Sequence, residues 1–360
     1  MEYKKLGDIA TYINGYAFKP EQRGNIGLPI IRIQDLTGNS YDLGYYDGVY
    51  PEKIELKNGD VLISWSGSLG VYLWNGGKAL LNQHIFKVVF DKIEINKYFF
   101  IYAVEYNLKR MSSKTHGATM KHITKKDFDN VIIPYPTMDE QRSISQRLNE
   151  LKDIINKQKQ QLELLNELVR ARFVEMFGDI YNSKKWNLIN IEDVAKVQVG
   201  VVIKPSQYYV NSEKGIKAFR SLNVGRGFIK DDDWVYFSEE GNKKNSKSIL
   251  HENDVLIVRS GAPGISCVVT KEYDGCNAID VIIAHPNVEI INPYYLSAYT
   301  NMPHGMLQIN EGTGGAAQQH FNISKYNKMK IMLPPLEYQN KYIDFVKEVD
   351  KSRLHVLYIS

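Results

Sequence analysis

Lys57-Asn58-Gly59-Asp60-Val61-Leu62-Ile63-Ser64-Trp65-Ser66-Gly67 returns, 194 residues later, as His251-Glu252-Asn253-Asp254-Val255-Leu256-Ile257-Val258-Arg259-Ser260-Gly261. In both copies a turn sequence ending in Asp opens an apolar run that a Ser-Gly pair closes, as expected of a short buried strand. Landmarks on either side recur in the same order. Gly7-Asp8-Ile9-Ala10 with Asn14-Gly15 is answered by Glu192-Asp193-Val194-Ala195 with Val199-Gly200, and Ile31-Arg32 by Phe219-Arg220. Ile95-Asn96-Lys97-Tyr98 is answered by Ile291-Asn292-Pro293-Tyr294, and Gly117-Ala118 with His122 by Gly315-Ala316 with His320. Each copy closes on a proline followed five residues later by glutamine, Pro136 to Gln141 and Pro334 to Gln339. The offset drifts from 185 at Asp8 to 198 at Pro136, so loop lengths differ while the landmarks hold. Units this long are whole domains, since solenoid repeats run to about 20–50 residues.

The 360-residue length suits two globular units with connectors. Runs at 28–33, 60–65 and 79–90 read as strands, and 98–108 and 294–300 as short helices opened by an asparagine cap. Each copy is therefore an α+β domain with a β-rich centre. The texture changes after Pro136. From Met138 to Phe177 there is no Gly or Pro, and good helix formers dominate. Counting three and four alternately gives Leu148, Leu151, Ile155, Gln158, Leu162, Leu165, Val169, Arg172 and Met176, of which seven of nine are apolar. That is a coiled-coil seam on a helix roughly 60 Å long. The organisation expected is a first domain at 1–136, a central helix at 137–178, a second domain at 179–333 and a short helix at 334–360 that pairs with the central one. The last residues, 354–360, are strand-like in propensity, so the second helix is expected to stop about halfway along the first.

Lys and Arg number 45 against 41 Asp and Glu, a net charge of +4, which is compatible with nucleic acid without requiring it. Cys267 and Cys276 read as reduced thiols of a cytoplasmic protein, and no apolar run reaches the ~18 residues of a membrane span. No catalytic motif is present. Asn292-Pro293-Tyr294-Tyr295 lacks the second proline of an adenine-methyltransferase loop, and no Gly-x-Gly loop follows a strand to hold S-adenosylmethionine. The glycine-rich runs lack a Gly-Lys-Ser/Thr ending, the eight histidines show no metal-ligand spacing, and no nuclease arrangement of acids is found.

The segment from Tyr106 to Lys126 has a clear electrostatic character. Lys109, Arg110, Lys114, Lys121, Lys125 and Lys126 lie there with His116 and His122 and no acidic residue. Such cations contact phosphates, whereas Ser, Asn and Gln read base edges. The matching segment 301–330 is less basic but rich in amides, among them Gln318 and Gln319, beside His320. Two copies that share strands and differ in loops are what two recognition surfaces require.

Taken together, the chain resembles the specificity subunits of type I restriction-modification systems. The resemblance covers the whole length and rests on Arg32 and Arg220 in matched strands, the paired Asp-Val-Leu-Ile…Ser-Gly runs, the Gly-Ala turns at Gly117 and Gly315, and the two Pro-x-x-x-x-Gln exits. It implies two target-recognition domains, each reading one half of a bipartite double-stranded DNA sequence, and helices that pair, set the spacing and dock partners. It also implies a non-catalytic chain without cofactor or metal, served by two modification subunits that carry S-adenosylmethionine and by a restriction motor-nuclease subunit. Arg32, Ser66, Lys109, Arg110, Lys114, Lys121, His122, Lys125, Lys126, Arg220, Arg259, Ser260, Gln318, Gln319 and His320 are the candidate DNA contacts, and Leu148, Leu151, Ile155, Leu162, Leu165, Val169 and Met176 the helix-pairing residues. The short final helix is a departure, for which truncation, gene rearrangement and a natural end stay open. It leaves Leu162, Leu165, Val169 and Met176 expected to lack an intramolecular partner and to be covered by a modification subunit or by another copy of this chain. The reading from another class is a two-domain adaptor that binds protein partners only. The bases recognised, the gap between half-sites and the oligomeric state are not encoded in any motif.

Overall fold

Each half of the chain is closed by pairing its first strand with its last. Glu2–Lys5 pairs antiparallel with Ile132–Tyr135, and Leu188–Asn190 with Lys330–Met332. These ladders bring the two ends of a domain together and aim the chain, after each proline, into a helix. The computed structural model describes residues 2–114, 124–179, 186–313 and 321–358, and side chains within these except 111–114, 313 and 354–358. Packing divides the chain into Met1–Ile155 and Asn156–Ser360, so the central helix Met138–Phe177 contributes to both units.

The two units share one topology. In the first, an antiparallel sheet runs Thr11–Asn14, Ile85–Val89, Val61–Ser64, Gly70–Leu73; in the second it runs Ala195–Val199, Val281–Pro286, Val255–Val258, Ser266–Val268. A second small sheet in each contains one parallel pairing, Leu28–Ile31 beside Ala79–Leu81 and Ile216–Phe219 beside Asn277–Ala278. The copies diverge at its edges. Glu55–Leu56 adds a strand in the first unit, while the second keeps only the bridge Ile249↔Asn277 there and adds Tyr209–Val210 on the opposite side. The apolar runs spotted in the sequence supply the cores: Val61 and Ile63 face one cluster and Leu62 another, as period-two alternation demands.

Two expected strands are shorter than the apolar runs that encode them. The run at 28–33 ends at Ile31, because the Asp35 carboxylate accepts from the Arg32 backbone N–H (2.7 Å) and caps a helical turn. The run at 79–90 is two strands in different sheets, parted at His84, whose φ of +72° turns the corner. Hydrophobic periodicity does not mark the point at which a strand changes sheets. The helices expected at 98–108 and 294–300 are Lys97–Lys114 and Pro293–Asn301. Asn96 Oδ1 accepts from the Phe99 N–H at 3.0 Å, and Asn292 Oδ1 from that of Tyr294 at 2.8 Å.

The Pro-Gln exits have a physical reason. Gln141 is fully buried; its Oε1 accepts from the Asn96 N–H (2.9 Å) while its Nε2 donates to the Pro136 carbonyl (2.9 Å). Gln339 does the same with the Asn292 N–H (2.8 Å) and the Pro334 carbonyl (2.7 Å), and adds the Ile290 carbonyl (3.2 Å). One side chain thereby ties the departing helix, the strand before it and the cap of the domain helix.

The helical seam differs from the expectation. The C-terminal helix is Leu336–Tyr358, continuing through the residues whose propensity is strand-like. It runs antiparallel to the second half of the central helix. Tyr342 is buried between Phe173 (5.3 Å) and Phe177 (5.5 Å), Phe345 lies beneath the Arg172 guanidinium (5.7 Å), and Arg353 Nη2 donates to Asn166 Oδ1 (2.7 Å). Val169 is buried there, with Leu165 and Met176 partly buried against the same core, so the residues expected to lack a partner are covered. Leu162 is half-buried. Exposed apolar residues lie in both halves: Leu148 is half-buried and Leu151, Ile154 and Ile155 are 54%, 50% and 49% exposed in the first, and Leu164 and Leu168, off the paired face, are 57% and 48% exposed in the second. The reason lies at the base of the helix. Packing starts where both helices leave the second domain and proceeds outward from Phe177, and the strict heptad count passes through Arg172 and misses Phe173 and Phe177.

Among the described residues no helix is long and apolar enough to cross a membrane. Both cysteines are buried, and burial pushes the Cys267 thiol up to about 12 and the Cys276 thiol to about 11, which keeps them protonated and unreactive. Removal of the buried clamp is the sharpest test of the fold. Gln339→Ala leaves the Asn292 N–H and the Pro334 carbonyl without partners and is expected to destabilise the second unit by about 2–4 kcal/mol, read as an earlier transition in urea unfolding while the transition of the first unit stays in place.

Candidate nucleic-acid interface

At one end of each antiparallel sheet three segments converge. Gly15 and Gly200 let the first pass against the second small sheet; a Cβ on Gly15 would lie 2.0 Å from the Asn82 carbonyl oxygen, and one on Gly200 2.4 Å from that of Ala278. No larger residue fits at either place. Beyond them come the single parallel bridges Tyr16↔Asn82 and Val201↔Ile279. The second segment leaves the central strand at Trp65 or Arg259 and turns through Ser-Gly, with Gly67 and Gly261 at positive φ. The third is the corner residue, His84 or Asp280, also at positive φ.

The copies fill this shared frame with different chemistry. Trp65 stands edge-on to His84 (4.9 Å), stacks on Phe86 (5.6 Å) and donates from Nε1 to Asn14 Oδ1 (3.3 Å). At the matching place Arg259 pairs with the Asp280 carboxylate at 2.7 Å, and the Arg259 carbonyl accepts from the Phe321 N–H at 2.9 Å. Phe321 follows directly on the amide-rich segment 314–320. An aromatic pair in one copy has become an ion pair in the other on the same backbone.

The candidate contacts fall into three groups. Arg32 and Arg220 are held by their own loops: Arg32 Nε lies 3.1 Å from Asp35, with Nη2 on Ser40 and the Asp42 carbonyl, and Arg220 Nη2 meets the Asp233 carbonyl and, at 3.4 Å, its carboxylate. Matched position in the sequence here reflects matched bracing of a turn. Ser66 is buried and Ser260 half-buried. Lys109 and Lys125 are exposed cations, each with a helical carboxylate neighbour, Glu105 at 3.0 Å and Asp129 at 2.8 Å. Lys126 is exposed, and Arg110 lies 5.6 Å from the Tyr106 ring. Lys121, His122, Gln318, Gln319 and His320 lie outside the described residues, as does the side chain of Lys114.

Sequence reasoning missed the partners of the paired aspartates. Lys87 Nζ lies 3.1 Å from Asp60, and His285 Nδ1 lies 2.5 Å from Asp254, which is buried. The lysine and the histidine sit two places apart on the same face of the matched strand. With His251, the second pair gathers three donor groups within 4.8 Å of one another; His251 and Asp254 are three residues apart, whereas His285 comes from 31 residues further along the chain. The counterpart in the first copy is a lysine-carboxylate pair, and Gln198 occupies the far nitrogen of His285 at 2.8 Å. A basic side chain from the neighbouring strand holding a strand-opening aspartate is the feature common to both.

A family model described as the type I restriction modification DNA specificity domain matches residues 1–164 and again 183–356. The chain belongs to the type I restriction-modification specificity family. Relatives of this specificity chain include the type I restriction enzyme EcoBI specificity subunit of Escherichia coli, 24% identical over 96% of this chain and 78% of that one. Another is the MjaVIII specificity subunit of Methanocaldococcus jannaschii, 22% identical over 97% and 86%. The fold matches the crystal structure of a type I S subunit from M. genitalium with a TM-score of 0.58 at 13% identity, covering 99% of this chain and 91% of that one. The α+β architecture read from the sequence, with two sheet-rich domains and a long helix, is the one this specificity chain has.

Stripping either aspartate of its partner side chain tests the bracing of the site. Lys87→Met should cost the first unit, and His285→Leu the second, about 1–3 kcal/mol, each leaving the other unit's unfolding transition unmoved.

Proposed function

We propose that this chain is the DNA-recognition subunit of a type I restriction-modification complex, each domain reading one half of a bipartite double-stranded target. The observation that carries the reading is the repeated frame with unlike edges: sheets, glycine crossings and glutamine clamps recur, while Trp65–His84 in one copy is replaced by Arg259–Asp280 in the other. Exposed Lys109, Lys125 and Lys126 supply phosphate contacts in the first domain. Gln318 and Gln319 supply base readers in the second. The chain itself performs no chemistry. Two modification subunits bring S-adenosylmethionine and methylate adenine, a motor-nuclease subunit joins for cleavage, and the helices set the distance between half-sites.

Reconstitution tests this. With its modification subunit and S-adenosylmethionine, the chain is expected to direct adenine methylation to a two-part sequence; methyl transfer by the rigorously purified chain alone would refute the division of labour. Lys125→Ala with Lys126→Ala is expected to flatten the plot of log affinity against log salt by roughly 0.9 per lost phosphate contact, with the sequence read unchanged.

The exposed residues Leu151, Ile154 and Ile155, with half-buried Leu148 beside them, are the proposed docking place for a modification subunit, with a second copy of this chain as the competing occupant. Leu151→Asp with Ile155→Asp is expected to weaken assembly with the modification subunit at least tenfold in light scattering, as loss of apolar burial at two positions implies. Unaltered stoichiometry and affinity would place docking elsewhere.

A further inference from the structure

The segment after the glycine crossing is aligned residue for residue between the copies, Gly15-Tyr16-Ala17-Phe18-Lys19-Pro20 against Gly200-Val201-Val202-Ile203-Lys204-Pro205. The same turn is nevertheless folded in opposite senses. Phe18 points inward, 3% exposed, with its ring 5.2 Å from Tyr46, and Lys19 is extended at φ −73°. Ile203 points outward and is 79% exposed, with Val202 beside it at 50%. Lys204 then takes a left-handed conformation, φ 45° and ψ 52°, which a side chain with a Cβ adopts only against a steric cost.

The core of the second domain explains how the tip is released. Phe237 stands at the register position of Tyr46, each opposite the first residue of the strand at 28 or 216. Its ring is contacted by Tyr208 (5.6 Å) and Tyr209 (6.0 Å) from further along the loop. The place that Phe18 fills in the first domain is thus filled by tyrosine in the second, and the isoleucine has no core to enter. Single exposed aliphatics are ordinary. Two adjacent ones, displayed by a strained lysine on a rigid base, are not.

That base is the candidate interface itself. The Val201 carbonyl accepts from the Asp280 N–H at 3.2 Å, Asp280 holds Arg259, and the Arg259 carbonyl holds Phe321 at the exit of 314–320. The tip therefore projects one and two residues beyond the frame that gathers the second domain's reading segments, with the exposed cation of Lys204 beside it. We propose that Val202 and Ile203 make the second domain's apolar contact with the bases of its half-site. Aliphatic side chains meet bases in two ways, by covering a thymine methyl group or by entering an opened base step. The first domain, with Phe18 turned inward, makes no equivalent contact. This rests on the proposed DNA-recognition function and adds to it the residues and the chemistry of one half-site.

The test uses the full chain assembled with its modification subunit. Ile203→Ala and Ile203→Asn, at an exposed position, are expected to leave thermal unfolding unchanged and to lower affinity for the methylated two-part sequence about tenfold. The salt slope should not move, since no phosphate contact is lost. Discrimination should fall in one half-site only. Replacing thymines of that half by uracil should weaken the unaltered protein and not the variants if a methyl group is covered; 2-aminopurine placed there should brighten on binding only with Ile203 present if a step is opened. Methylation at the same two-part sequence with unaltered affinity and discrimination in both variants would overturn the contact while leaving DNA recognition standing. Loss of all two-part methylation in the unaltered complex would remove the function on which it rests.

Discussion

A buried glutamine side chain decides how each recognition domain is joined to its helix. An amide has both an acceptor and a donor to place, and in a core neither can be left without a partner. Gln141 and Gln339 satisfy theirs on the cap of the domain helix and on the carbonyl of the exit proline. Since the proline ends a strand already paired to the first strand of the same unit, the direction in which the helix leaves is fixed by the sheet. Each unit is thereby tied to its own departing helix by the same geometry, made twice.

What is built on the clamp diverges. The two domains keep strand order, the glycine crossing and the strand-opening aspartate, whose partner is lysine in one and histidine in the other. They change the residues at the sheet end and the sense in which the adjoining turn folds. Structural polar groups therefore recur by position and role, whereas exposed ones differ. This separation of frame from surface lets one fold present two unrelated chemistries with only local changes in core packing, as where Tyr208 takes the place of Phe18.

The repeat, the α+β domains and the long helix were legible because they are written in periodicity, spacing and duplicated order. The strand corner at His84 was not, since an apolar run reads the same whether or not it changes sheets. Pairing of the helices was misplaced for a related reason: the heptad count follows a single face, while Phe173 and Phe177 lie one residue off it and carry the contact with Tyr342. Arg32 and Arg220 illustrate a different limit. A matched arginine suggests a shared ligand, yet both brace their own turns, a role that depends on Asp35, Asp42 and Asp233 coming near in space. The outward turn of Ile203 was hidden too, because it depends on Tyr208 and Tyr209 occupying the ring of Phe237.

The account stands on two readers that act independently on a common frame. The direct measurement is sequencing of methylated DNA after residues 186–333 are replaced by the equivalent segment of another specificity subunit, with both helices and both glutamines, Gln141 and Gln339, kept. The result predicted is a target in which one half-sequence changes to that of the donor and the other half is retained. Alteration of both halves, or of neither, would contradict it.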